Sequence, residues 1–138
     1  MRILGLDLGT KTLGIAMSDP SGIIAFGIET FRFFEGDMAG AIAYVLEIIP
    51  KNHIEQIVLG YPKNMDSSIG SQARLSEKFK SMLEEKTSVP VMLWDERLTT
   101  RSAHRVMTET NTRKQQKKAK VDQIAAIFIL QSYLDSRK

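Results

Sequence analysis

The sequence contains no cysteine, which excludes disulfides, thiolate nucleophiles and cysteine-held zinc. Any metal must be held by oxygen or histidine, and the only two histidines, His53 and His104, lack the spacing of a metal-binding pair. No apolar run reaches the roughly 18 residues of a transmembrane helix, so a membrane role is not expected. The opening Met1-Arg2-Ile3-Leu4-Gly5 runs straight into strand-like sequence, without the long apolar region and cleavage site of a secretory signal. A sustained coiled-coil seam is also missing, which favours a monomer over a two-fold dimer.

What is present fits one globular domain over residues 1–138: 43% of the residues are hydrophobic and 25% charged, enough for one core and one site. The net charge is +3 and the pI about 9.2, and the excess is concentrated. Arg113, Lys114, Lys117, Lys118 and Lys120 follow one another with no acidic residue between them. Such a run suits a polyanion such as nucleic acid, and equally a solvated connecting loop.

The hydrophobic pattern predicts strands over Arg2 to Leu8 and Leu13 to Ser18, joined by Gly9-Thr10-Lys11-Thr12, and a third over Ile23 to Phe33 after the turn Pro20-Ser21-Gly22. From Asp37 the period lengthens, with Ile42, Val45, Leu46 and Ile49 on one helical face and Pro50 limiting the helix. A strand from Ile54 to Leu59 stops at Gly60-Tyr61-Pro62. Ser71 is the expected N-cap of a helix presenting Leu75, Phe79, Met82 and Leu83, and Val91 to Trp94 forms a last strand. Helices from about Thr100 to Thr108 and from about Lys120 to Leu134 finish the chain, with the basic run as their connection. The expected fold is α/β: a three-strand meander plus two parallel strands in one five-stranded mixed sheet, flanked by helices.

Ligand sites in such sheets lie beyond the carboxyl ends of the parallel strands. Asp7 interrupts the apolar run Ile3-Leu4-Gly5-Leu6-Asp7-Leu8, and a carboxylate in a central strand costs several kcal/mol unless a cation or hydrogen bonds compensate. Alone, an Asp-x-Gly is commonly a turn acceptor. Two further acidic positions make it more: Asp95-Glu96 directly follows the last strand, and Asp122 opens the last helix beside its apolar face. An oxygen-only carboxylate set suits Mg2+ or Mn2+, and phosphodiester hydrolysis gains from two ions roughly 3.5 to 4 Å apart. In that reading Asp7 bridges both ions, Glu96 binds one and Asp122 the other, while Lys11 meets the phosphate and Arg97 contacts a phosphate or orients Glu96.

The stretch Asp7-Leu8-Gly9-Thr10-Lys11-Thr12-Leu13-Gly14-Ile15-Ala16 resembles the opening motif of the YqgF (RuvX) family. Gly60-Tyr61-Pro62, Asp95-Glu96-Arg97-Leu98-Thr99-Thr100 and Asp122-Gln123-Ile124-Ala125-Ala126 match further blocks in the same order, spanning nearly the whole chain. The resemblance implies an RNase H-like fold, a cytoplasmic location and a nuclease that processes the 5′ end of the 16S ribosomal RNA precursor, with precursor particles as partners. The family has also been called a Holliday junction resolvase through its similarity to RuvC. Its acidic positions fall on Asp7, Glu96 and Asp122, with Asp95 adjacent. One departure stands out: many RNase H-like nucleases carry the second acid after the strand that follows the first helix, where this chain has Gly60-Tyr61-Pro62.

Two other classes share parts of this pattern. Asp-Leu-Gly-Thr also resembles the first phosphate loop of actin-like and Hsp70-like ATPases, which enclose nucleotide between two domains where this chain has room for one. A non-catalytic nucleic-acid-binding module would keep the fold and the basic run without a working carboxylate set.

Overall fold

The computed structural model describes residues 2–62, 70–96 and 114–137, of which 114–122 are described as backbone only. The apolar segments form β1 (Arg2–Leu8), β2 (Thr12–Ser18), β3 (Ala25–Arg32), β4 (Ile54–Tyr61) and β5 (Val91–Asp95), with helices α1 (Met38–Lys51), α2 (Ser71–Lys86) and α3 (Lys114–Ser136). The strand order is β3-β2-β1-β4-β5. The meander pairs antiparallel, and β4 and β5 then add parallel to β1 and to each other. This is the mixed five-stranded sheet that the sequence predicts, with β1 at its centre.

Strand alternation sorts the side chains of β1 onto two faces. Leu4, Leu6 and Leu8 join the core beneath α1 and α2, together with Ile42, Val45, Phe79 and Leu83. Ile3 belongs to the opposite core, with Val58, Ala126, Ile129, Leu130 and Leu134 beneath α3. Gly5 lets α3 approach that face: a Cβ there would sit 2.7 Å from Leu130 Cβ and 3.2 Å from the Ala126 carbonyl oxygen. By the same alternation Asp7 points to the α3 side.

Several boundaries differ from expectation for local reasons. β3 starts at Ala25 because the Asp19 carboxylate accepts the N–H groups of Ile23 and Ile24, both at 2.8 Å, and folds Asp19 to Ile24 into a turn. Pro50 lies inside α1, in the last turn before Lys51, and Asn52 closes the helix by donating its backbone and side-chain N–H groups to the Ile48 carbonyl. His53 follows in a left-handed conformation, φ 53°. Gly70 takes the N-cap position of α2 with no side-chain cap, and Ser71 is already helical. β4 runs two residues beyond Leu59, through Gly60 to Tyr61.

The largest correction concerns the basic run. Positions 114–120 are the first turns of α3 and do not form a connecting loop. Lys, Gln and Ala are strong helix formers, and neither glycine nor proline interrupts the chain between Lys114 and Ser136. The helix expected over Thr100 to Thr108 lies outside the described residues. Among the described residues, no helix is long and apolar enough to cross a membrane.

Candidate active site

The carboxyl edges of β1, β4 and β5 lie side by side. β1 and β4 pair up to Leu6 and Leu59, which brings Asp7 beside Gly60. On its other flank Asp7 is opposite Gly14, and Gly14 is opposite Thr30. Gly60 in turn is opposite Trp94. Asp7 thus stands in a cross-sheet row between two glycines. The row ends at Thr30, whose Oγ1 is buried and has no hydrogen-bond partner among the described residues.

Asp95 and Glu96 are separated by the same alternation that orients Asp7. Trp94 faces α3, packing edge-on against Tyr133 at 5.4 Å and donating its indole N–H to Ser132 Oγ at 3.2 Å. Asp95, opposite Tyr61, falls on the α2 side. The chain then turns, and the Glu96 carboxylate lies over Gly60: a Cβ on that glycine would meet Glu96 Oε2 at 3.1 Å and Ile129 Cδ1 at 2.6 Å. Glu96 therefore shares the α3 face with Asp7. This explains the departure from the wider fold. Gly60 of β4 leaves room on this face, and the Glu96 carboxylate, from the residue after β5, fills it.

The Glu96 carboxyl is pushed up to about 7 by burial first, then by the negative charges of Asp7 and Asp95. That mutual influence brings Asp7 and Glu96 into one electrostatic unit. Among the described residues no three Asp, Glu or His side chains converge to hold an ion, so Asp7 and Glu96 form a pair that a third ligand would have to complete. Position 122 lies in α3, one turn before Ala126, the residue whose carbonyl approaches Gly5; the Asp122 side chain is outside the described residues. Arg97 and Arg113 also lie outside them, and Lys114, Lys117, Lys118 and Lys120 are described only as backbone of α3.

The rest of the edge is braced from the opposite face. Gln72, in the first turn of α2, donates its side-chain N–H to the Leu8 carbonyl at 2.8 Å, immediately after Asp7. The Tyr61 hydroxyl donates to Glu77 of α2 at 2.9 Å. The β1–β2 turn closes through the Gly9 N–H to the Thr12 carbonyl at 2.7 Å and leaves Lys11 exposed at its tip. Gln72 did not stand out in the sequence, and Gly14, Gly60 and Tyr61 fall within the family-like blocks without a role in the site being assigned to them. The signal was Gly60 itself, since a glycine within a strand marks a close approach of another group.

This topology, with a carboxylate pair at the carboxyl edge of a central and an outer parallel strand, is that of the RNase H-like fold. The solved structures agree on the fold. Thermus thermophilus RuvC in complex with Holliday junction substrate superposes with a TM-score of 0.70 at 13% identity, over 99% of this chain and 95% of that one. The fowlpox virus Holliday junction resolvase gives 0.59 at 16% identity, over 100% of both chains. A family model described as "RuvX: Holliday junction resolvase" matches residues 1–136, and the chain belongs to that family. Relatives from Lachnospira eligens and Bacillus subtilis, each 47% identical, are both named "Putative pre-16S rRNA nuclease"; the matches cover 100% and 99% of this chain and 99% of each relative. The chain is accordingly a nuclease, an enzyme that hydrolyses phosphodiester bonds.

Proposed function

We propose that this chain is a divalent-metal-dependent endonuclease that trims the 5′ end of the 16S ribosomal RNA precursor, acting as one domain and as a monomer in the bacterial cytoplasm. The observation that carries the catalytic part is the Asp7–Glu96 pair, brought together over Gly60 from two strands. The names of the full-length relatives carry the RNA part.

The donor set fits Mg2+ or Mn2+. Carboxylate oxygens are hard ligands, and a glutamate whose carboxyl is raised by burial and then by its acidic neighbours belongs to a cluster that a cation relieves. Asp7, Glu96 and Asp122 would hold the ions, with Asp95 turned towards α2. Two bound ions would supply an activated water and neutralise charge on the leaving oxygen. The remaining work belongs to the chain: Asp7 and Glu96 orient the site, Gln72 fixes the strand end behind Asp7, and Lys11 with Arg97 holds the scissile phosphate. Arg113, Lys114, Lys117, Lys118 and Lys120 supply further positive charge for nucleic acid, and ribosomal precursor particles are the natural context.

Cleavage of four-way DNA junctions is the second reading, favoured by the description of the matching family. Parallel assays on precursor RNA and on synthetic four-way junctions, with Mg2+ or Mn2+, decide between them. Cutting of the RNA with the junction left intact is expected; the opposite pattern reverses the assignment.

A further inference from the structure

We propose that the aromatic groove beside the β1–β2 turn is a subsite that stacks one unpaired nucleobase of the substrate strand, with Phe34 as its platform. The inference rests on the nuclease reading above and extends it by naming the form of nucleic acid that the edge accepts.

Phe34 is 86% exposed, far more than any other large hydrophobic side chain among the described residues. It is held out by hydrogen bonds on both sides. Its carbonyl accepts the Asp37 N–H at 2.8 Å, and the preceding Phe33 N–H donates to the Lys11 carbonyl at 2.9 Å. Gly36, at φ 88°, turns the chain sharply between them and α1. An aromatic ring fixed in water forgoes the burial that drives folding, which points to a partner that covers it.

The groove has a volume of about 360 Å3 and is lined by Phe31, Arg32, Phe33, Phe34, Asp37 and Gly40. Its wall is aromatic: Phe31 stacks on Tyr44 at 4.5 Å and on Phe33 at 6.4 Å, with interplanar angles of 17° and 22°. Arg32 is opposite Thr12 across the β2–β3 ladder. One groove residue thus pairs with the last residue of the turn that carries Lys11.

Charge selects the occupant. Asp37 on the groove and Glu35 next to Phe34 repel phosphate, whereas Arg32 lines the groove and Lys11 belongs to the adjoining turn, its carbonyl bonded to the Phe33 N–H. A base on the ring face, with its adjoining phosphates near the two cations, satisfies both sets. Bases within a duplex are already stacked on their neighbours, so the occupant is an unpaired nucleotide; stacking on aromatic side chains is a general mode of single-strand binding and tolerates any base.

The test is metal-free binding of the full chain to single-stranded RNA and to blunt duplex RNA, read by fluorescence anisotropy, for wild type, Phe34→Ala and Phe34→Trp. Phe34→Ala should weaken single-strand binding roughly tenfold. It should leave duplex affinity and melting temperature unchanged, and Phe34→Trp should restore the lost affinity. Equal single-strand affinity for wild type and Phe34→Ala overturns the proposal, as does a Phe34→Ala effect confined to self-association in sedimentation. Because no cleavage is read, a chain that cuts RNA yet binds independently of Phe34 refutes the subsite alone. A chain that binds through Phe34 yet never cuts refutes the catalytic reading alone.

Discussion

At the scale of single residues, the site depends on one glycine and one shifted carboxyl. Gly60→Ala places a methyl group against Ile129 Cδ1 at 2.6 Å and the Glu96 carboxylate at 3.1 Å, and both must move. Overpacking of this kind costs about 1–3 kcal/mol of stability. Displacement of a catalytic group by about 1 Å costs roughly 100-fold in rate. Thermal melts and cleavage assays on the same preparation should therefore show a folded protein with a much larger loss of turnover than of stability. The pH dependence follows from Glu96. Its folded-state value of about 7 lies above the ordinary 4.5, so the folded metal-free protein binds more protons than the unfolded chain between those limits. The contribution of Glu96 to stability is thus present at low pH and is lost as pH rises through about 7. Glu96→Gln removes this loss, so its stability relative to wild type should grow from about pH 4.5 to 7 and then level off. A difference that stays flat in melts across that range contradicts the raised Glu96 carboxyl.

At the scale of elements, the approach of α3 to β1 decides whether the pieces of the site meet. Gly5→Ala sets a Cβ 2.7 Å from Leu130 Cβ and forces the helix away from the strand. A loss of about 1–3 kcal/mol is expected, read from chemical denaturation, together with a fall in cleavage because α3 carries Asp122. Retained activity in a destabilised Gly5→Ala protein would separate α3 from the site. Most of this arrangement was legible beforehand. The apolar run of β1 and the 3.6-residue period in α1 and α2 mark segments that pack into the two cores. What was not legible depends on long-range contacts: the sequence puts Asp95 and Glu96 side by side, and only the placement of β5 beside β4, with the turn after Asp95, lays Glu96 over Gly60. The start of α3 was misplaced because a cationic run was taken as a solvated connection, whereas the helix propensity of its Lys, Gln and Ala residues prevails.

At the scale of the whole molecule, substrate affinity should come from charge spread beyond the carboxylates. In α3 the positions of Lys114, Lys117 and Lys118 follow the i, i+3, i+4 spacing of one helical face. Replacing all three with glutamine should weaken binding to many nucleic acids alike and flatten the dependence of log K on log salt, by about 0.7 per lost contact for single strands. An unchanged slope would leave the run with a role in solubility alone. The central claim, that Asp7 belongs to a metal-holding carboxylate set, has a more direct test in Asp7→Asn, which keeps the side chain's shape and removes its charge. Cleavage of precursor RNA by wild type and Asp7→Asn should be compared in Mg2+ at equal concentration, with melting temperatures recorded alongside. The account predicts a folded variant without metal-dependent cleavage, and undiminished turnover by folded Asp7→Asn would contradict it.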